Sequence, residues 1–437
     1  MTKKIAVLSA VLGMLAVFAV IGLRLTQAQR PVPGGAGDER IPGQYIVVFK
    51  DNVADPEAAA QEIVKARGLG HLFTYSRVLK GFAATIPDAV LNSVKSDPRV
   101  QFVSEDRAVY ALGKLESADS GRVIPFVRPT AQQAQAIPTG INRIAAPSST
   151  SKGAGVVVAV IDTGIDLTHP DLKANIKNSG KTCVNRTYSA NDDNGHGTHV
   201  AGIIAALDNS VGVVGVAPQA KLIPVKVLDR TGSGTWSSVI CGIDWVTANA
   251  SSMGIKAANM SLGGSGTSDN NCGNKNSDAF HKAICRSRDA GVTYVVAAGN
   301  NSANANTFVP AAYDDAVITV SALADSDGKP GGSGSKTSYG PDDTFATFSN
   351  YGGVVDLGAP GVSIYSTYKN GGYATMSGTS MASPHVAGVA ALYISGNPGS
   401  TWQQVRDGLK SLAEALNSGH TDPSGLHPEP VVKANSL

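Results

Sequence analysis

Ser380 lies in Gly378-Thr379-Ser380-Met381-Ala382, where a glycine turn runs into an apolar stretch that continues to Ile394. A turn of that kind sets a hydroxyl at a helix N-terminus, where backbone N–H groups and the helix dipole favour developing negative charge. A hydroxyl becomes a nucleophile at neutral pH only when a base takes its proton and a third group fixes the tautomer of that base. Two upstream segments offer these groups. Val156 to Asp162 is a β-branched run ending in a carboxylate and the turn Thr163-Gly164, the form of a central parallel strand that delivers a residue to a cleft. Asn194-Gly195-His196-Gly197-Thr198-His199 puts one histidine in a glycine turn and a second inside the helix that follows. His196 is read as the base and His199 as structural. Each segment alone signifies no more than a turn; the three together imply acyl transfer through a serine.

The elements that must carry these residues alternate. Apolar strands over Val156–Ile161, Lys221–Leu228, Ala258–Ser261, Thr293–Ala297 and Val317–Ala322 are separated by amphipathic helices over His196–Leu207, Thr235–Ala248, Ser277–Asp289 and Ser380–Ile394. That order predicts an α/β domain, 134–437, with a parallel β-sheet and helices on both faces. Before it, residues 39–112 read strand, helix, strand, strand, helix, strand, the split βαβ arrangement of a small α+β, ferredoxin-like unit. Asp55 with Pro56 marks the start of its first helix. Residues 113–133, poor in periodic apolar residues, read as a linker.

Lys3 and Lys4 precede an apolar run from Ile5 to Leu23, and Thr26-Gln27-Ala28 offers small residues for cleavage, so residues 1–28 read as a secretory signal. The run approaches the roughly 20 residues that span a bilayer, which leaves an N-terminal anchor with the catalytic domain outside as the alternative. The net charge of +2 and the lack of a basic cluster give no footprint for nucleic acid. Cys183, Cys241, Cys272 and Cys285 show no Cys-x-x-Cys spacing and fit two disulfides of an exported protein. Cys272 and Cys285 flank one loop and helix and are expected to pair, leaving Cys183 with Cys241; free buried thiols remain the other possibility. His169, His199 and His385 lie in separate segments and suggest no zinc site.

Asp162-Thr163-Gly164, His196-Gly197-Thr198-His199 and Gly378-Thr379-Ser380-Met381-Ala382, in that chain order, resemble the motifs of the subtilisin-like serine proteases, the subtilase family. The stretch Val225 to Gly234 leans toward the proteinase K-like branch. The resemblance covers the chain from about Ile41 onward and implies a serine endopeptidase made as a zymogen. It makes Asn300, at the end of Thr293–Gly299, the side-chain donor of the oxyanion hole beside the Ser380 backbone N–H. Ser261, Leu262 and Gly263 on one side and Gly232, Ser233 and Gly234 on the other resemble the edges that clamp an extended peptide as an added strand. Ala297, Ala298 and Gly299 would line the slot for the side chain before the scissile bond, small residues that imply a preference for large apolar side chains. Trp236 would wall the pocket three residues further upstream, or pack in the core.

The same resemblance makes residues 39–112 an inhibitor-type propeptide, with Glu105-Asp106 as its acidic pair and self-cleavage between Leu112 and Gly113. It implies a structural Ca²⁺ held by Gln135, Asp171 and Asn209 and by the carbonyls of Leu207, Val211 and Val213, oxygen ligands that suit a hard cation. The expected partners are protein or peptide substrates and the chain's own propeptide, with the enzyme a monomer.

Overall fold

The computed structural model describes residues 39–116 and 135–437. The expected signal over 1–28 and the part of the expected linker from 117 onward lie outside them.

The first unit runs β1 (Arg40–Phe49), α1 (Pro56–Arg67), β2 (Gly70–Tyr75), β3 (Gly81–Thr85), α2 (Asp88–Lys95) and β4 (Val100–Ala111), the order expected. Asp55 caps α1 by accepting from Ala58 N–H at 2.9 Å, with Pro56 in its first turn. β1 pairs antiparallel with both β3 and β4, and β2 pairs with β3. Alternation along β1 decides its two faces. Val47 and Phe49 join Ala60 and Ile63 of α1 in a core of the unit's own, whereas Ile46 and Val48 join a core formed mainly by the second domain. The two domains thus share buried surface within one compact unit.

After β5 (Lys114–Leu115) and the short α3 (Thr139–Arg143), the second domain runs β6 (Val157–Asp162), β7 (Lys181–Thr182), α4 (His196–Ala205), β8 (Lys221–Lys226), β9 (Ser233–Thr235), α5 (Trp236–Met253), β10 (Ile255–Met260), β11 (Leu262–Ser265), α6 (Ala279–Asp289), β12 (Thr293–Ala297), β13 (Phe308–Val309) and β14 (Ile318–Ala324). It closes with β15 (Thr344–Phe345), β16 (Leu357–Pro360), β17 (Ile364–Tyr368), β18 (Gly372–Ser377), α7 (Thr379–Gly396) and α8 (Trp402–Leu412). The central sheet has the order β15-β14-β12-β10-β6-β8-β7 and is parallel except at its β15 edge.

Helices cover both faces of this sheet. Val158 and Val160 of β6 pack with Val200 and Ile204 of α4 and Met381 and Ala387 of α7, while Val157, Ala159 and Ile161 pack with Val239 and Ile243 of α5 and Phe280 of α6. β6 is buried along its whole length, as a strand covered on two sides must be. Several expected bounds shift: β10 begins earlier, at Ile255, β8 ends at Lys226, and α6 begins at Ala279. α5 runs on to Met253, because Gly254, at φ +68°, is the first residue suited to end it. The expected linker begins later than residue 113, because Lys114 and Leu115 pair antiparallel with Ser377 and Met376 of β18. A two-residue strand is too short to leave a period in the sequence.

Candidate active site

β6 ends at Asp162, and α4 begins at His196 after the turn at Gly195. Their side chains meet, His196 Nδ1 lying 2.7 Å from Asp162 Oδ1. The turn is held from below. Asp192 accepts from the Asn194 and Gly195 N–H groups at 2.9 Å and from the Thr198 hydroxyl at 2.6 Å, and Asn194 Oδ1 accepts from His196 N–H. With Nδ1 on the carboxylate, Nε2 is the ring atom left to face a nucleophile. It has no hydrogen-bond partner among the described residues.

Ser380 is the second residue of α7 and is fully buried. Its Oγ donates to Ser261 O at 3.0 Å rather than to His196. A segment of the chain occupies the cleft beside these two groups. A Cβ placed on Gly113 would lie 2.9 Å from His196 Nε2, and one placed on Gly378 would lie 2.3 Å from Leu112 O. The Leu112–Gly113 peptide therefore runs uncut between the imidazole and the start of α7, and Gly378 must lack a side chain for Leu112 O to approach. Asn300 Nδ2 donates to that same carbonyl oxygen. The amide is oriented by Thr379, whose N–H and hydroxyl donate to Asn300 Oδ1 at 2.9 and 2.8 Å, which turns the NH₂ end to Leu112 O.

On the N-terminal side of that peptide, β4 is clamped between two edges of the second domain. Ala108, Val109 and Tyr110 pair antiparallel with Thr235, Gly234 and Ser233 of β9; Tyr110 and Ala111 pair with Gly263 and Leu262 of β11. Ala111 N–H donates to Gly232 O at 2.9 Å and Leu112 N–H to Ser261 O at 3.3 Å. Every residue expected at the two edges is in place. The Leu112 side chain packs with Ala297, Ala298, Phe308 and Val355; Gly299, next in the chain, donates its N–H to the Thr379 hydroxyl. Phe308 and Val355 are absent from the expected lining because they come from β13 and from the loop before β16, remote in sequence. Trp236 is buried against Phe280 and the Arg107 guanidinium and shares an apolar cluster with Val109, three residues upstream of Leu112.

Several contacts at this site had no signal in the sequence. β5 extends the occupied cleft beyond Gly113, and Glu116 accepts from the Ser363 and Ser377 hydroxyls. Glu39 accepts from Ser265 N–H at the end of β11. Asp106, of the acidic pair, accepts from the N–H of Ser237 at 3.0 Å and its hydroxyl at 2.5 Å, at the N-terminus of α5; burial pushes its carboxyl above the usual range. Glu105 instead faces outward and pairs with Arg40 at 3.2 Å. His199 and His385 are buried, and burial lowers them to about 3 and about 4, so both are neutral; His199 Nε2 sits 3.0 Å from the carbonyls of Ile364 and Ala374.

Most of the residues expected around Ca²⁺ meet just past the C-terminal end of α4. Gln135 Nε2 donates to Leu207 O at 2.6 Å and to Val213 O at 3.2 Å, Asn209 Nδ2 donates to Asp171 Oδ1 at 3.0 Å, and Val211 N–H donates to Asn209 Oδ1. Asp171 is fully buried with no cationic side chain bonded to it among the described residues, and burial raises its carboxyl to about 6. Carbonyl and carboxylate oxygens around a buried acid fit a hard cation, and turning the Gln135 amide over would add its oxygen to them. The cysteines form the two expected disulfides, Cys183–Cys241 and Cys272–Cys285.

A carboxylate-held imidazole, a serine at a helix start and a carboxamide aimed at a peptide carbonyl, in an α/β sheet clamping an extended strand, describe a serine endopeptidase. Residues 153–425 match the Subtilase family and residues 44–112 the Peptidase inhibitor I9 family. Subtilisin E of Bacillus subtilis (strain 168) is 36% identical over 397 residues, 90% of each chain. Subtilisin Savinase of Lederbergia lenta is 42% identical over 296 residues, 67% of this chain and 97% of that one. The solved structure of a cold adapted subtilisin-like serine proteinase matches with a TM-score of 0.55 at 36% identity, over 68% of this chain and 98% of that chain. The chain belongs to the subtilase family and carries an inhibitor-type propeptide domain.

Proposed function

We propose that this chain is an exported endopeptidase that matures by cutting itself between Leu112 and Gly113 and then hydrolyses peptides with large apolar residues before the scissile bond. The observation that carries the reading is the seat of the Leu112–Gly113 peptide, with its carbonyl on Asn300, its leucine among Ala297, Ala298 and Phe308, and its glycine beside His196. In the reaction Ser380 Oγ leaves Ser261 O by rotation about its side-chain bond, gives its proton to His196 Nε2 and attacks the Leu112 carbonyl carbon. Asp162 keeps the proton on Nδ1 and stabilises the imidazolium; Asn300 and the Ser380 backbone N–H hold the oxyanion. The imidazolium returns its proton to the Gly113 amine as the peptide C–N bond breaks, and water then releases the acyl group from Ser380. Gln135, Asp171 and Asn209 with the carbonyls of Leu207, Val211 and Val213 would hold a structural Ca²⁺ that screens the buried Asp171 charge. Two disulfides favour an oxidising compartment.

Ser380→Ala tests the processing step. Intact mass of that variant, expressed alone, is expected to show the Leu112–Gly113 bond whole, while the parent yields a fragment beginning at Gly113. Removal of the first hundred or so residues by the alanine variant would refute self-cleavage.

A further inference from the structure

The loop 325–343 joins β14 to β15, and antiparallel pairing of Ala324 with Thr344 holds its two ends side by side. A connection this long without regular structure of its own is uncommon in a compact domain and usually serves a purpose. Its ends bring Asp325, Asp327 and Asp342 together, one carboxylate oxygen from each lying within 4.8 Å of the others. Asp325 and Asp342 are only 3% and 5% exposed.

The neighbouring charges do not neutralise these three. Arg143, the one buried guanidinium beside the loop, is bound to Asp343 at 2.5 Å and to Glu414 at 2.7 and 3.1 Å. Asp342 accepts from the N–H groups of Ser326 and Gly334, both at 2.7 Å, and from the Ser326 hydroxyl, while Asp327 accepts from Lys329 N–H. Asp325 Oδ1 accepts from Gly328 N–H at 3.0 Å, but Asp325 Oδ2 is sealed from solvent with no hydrogen-bond partner among the described residues. Among the described residues no lysine, arginine or histidine side chain bonds to Asp325, Asp327 or Asp342. A buried carboxylate oxygen without a donor is strongly disfavoured, and two further carboxylates within 4.8 Å of the same side chain add repulsion. A small dication answers both, and three carboxylates on a glycine-rich loop are oxygen donors of the flexible kind that calcium accepts and magnesium, with its strict octahedron, does not.

We infer that loop 325–343 is a divalent-cation site, separate from the one around Asp171, that takes a calcium-class ion through Asp325, Asp327 and Asp342. The ion would clasp the two ends of the loop beside the Arg143–Asp343 pair. The test titrates CaCl₂ into chelator-treated full-length protein carrying Ser380→Ala, which prevents autolysis, and reads stoichiometry and Kd by calorimetry. Asp325→Asn is expected to bind one equivalent fewer than its parent. In chelator it should melt no lower than the parent, since it removes an uncompensated charge, yet it should lose the part of the calcium-induced rise that this loop provides. Asp327→Asn changes an exposed carboxylate that folding does not need, and should weaken the same equivalent by about tenfold or more through the lost ligand charge. Asp171→Asn should leave that equivalent intact. Unchanged stoichiometry and Kd in Asp327→Asn, or an unchanged ion count in a folded Asp325→Asn, would overturn the site.

Discussion

Asn300 is the residue whose part can be separated from the proton-transfer pair, because its carboxamide hydrogen-bonds to the Leu112 carbonyl and Thr379 and not to His196 or Asp162. Asn300→Ala should lower kcat on a peptide substrate by about 100- to 1000-fold with little change in KM, the loss typical of deleting one oxyanion donor from a subtilisin. A second residue-scale prediction concerns stability. Glu414 accepts from Arg143 and lies 2.9 Å from His420, and despite its burial these partners hold its carboxyl down at about 2. A folded value below the unfolded one means the contribution is complete above about pH 4.3 and fades as pH falls toward 2. Glu414→Gln should therefore cost on the order of 2 kcal/mol at pH 7, after allowance for solvent screening. Denaturant titrations across pH in the Ser380→Ala background should show the gap closing between about pH 4 and pH 2. A gap independent of pH would mean that packing, not charge, sets the loss.

The elements are tied by cross-links of different reach. Cys183–Cys241 joins the segment after β7 to α5 across a sequence separation of 58, whereas Cys272–Cys285 spans 13 and ties a loop to α6. Loop-closure entropy predicts a loss of about 4 kcal/mol for Cys183→Ser with Cys241→Ser and about 3 kcal/mol for the shorter pair. Urea unfolding of the two double variants compares them; a larger loss for the short loop would show that enthalpic terms dominate. The elements were also the best-read level of the sequence. β6, α4, β12 and α7 carry long apolar periods and sit within a few residues of where those periods placed them. β5, β11, β13 and the β17–β18 hairpin were missed or merged with neighbours, since short edge pieces owe their form to the strands they meet rather than to their own composition.

For the whole molecule, the propeptide domain is held by more than the strand in the cleft. Asp106 caps the start of α5 through Ser237, and Asp244 of α5 accepts from Arg77 and Val78 N–H at 2.7 and 2.8 Å. On the proposed cut at Leu112–Gly113 these contacts would remain, and they would then set how long the cut propeptide stays bound. Charge-assisted hydrogen bonds of this sort contribute about 1.5–3 kcal/mol each. Asp106→Ala should thus shorten the lag between cleavage, followed by mass, and the rise of activity on a chromogenic peptide, by about tenfold or more. A lag of the parental length would assign retention to the clamped β4 alone.

By itself the sequence determined the chemistry and most of the scaffold. The glycine turns around His196 and Ser380 and the buried run into Asp162 state which side chains are presented, since turn type and strand period are local properties. The expected cut after Leu112 and the small side chains expected around that residue came instead from the resemblance to the subtilase family, not from a local pattern. Tertiary structure alone decided the rest. Phe308 and Val355 reach the leucine from distant segments, Thr379 orients the Asn300 amide, and Ser363 and Ser377 meet Glu116 beyond Gly113. Asp325 and Asp342 become neighbours only because Ala324 pairs with Thr344. Such contacts depend on how the sheet closes and which edges meet, and a chain carries no local record of which of its remote residues will be brought together.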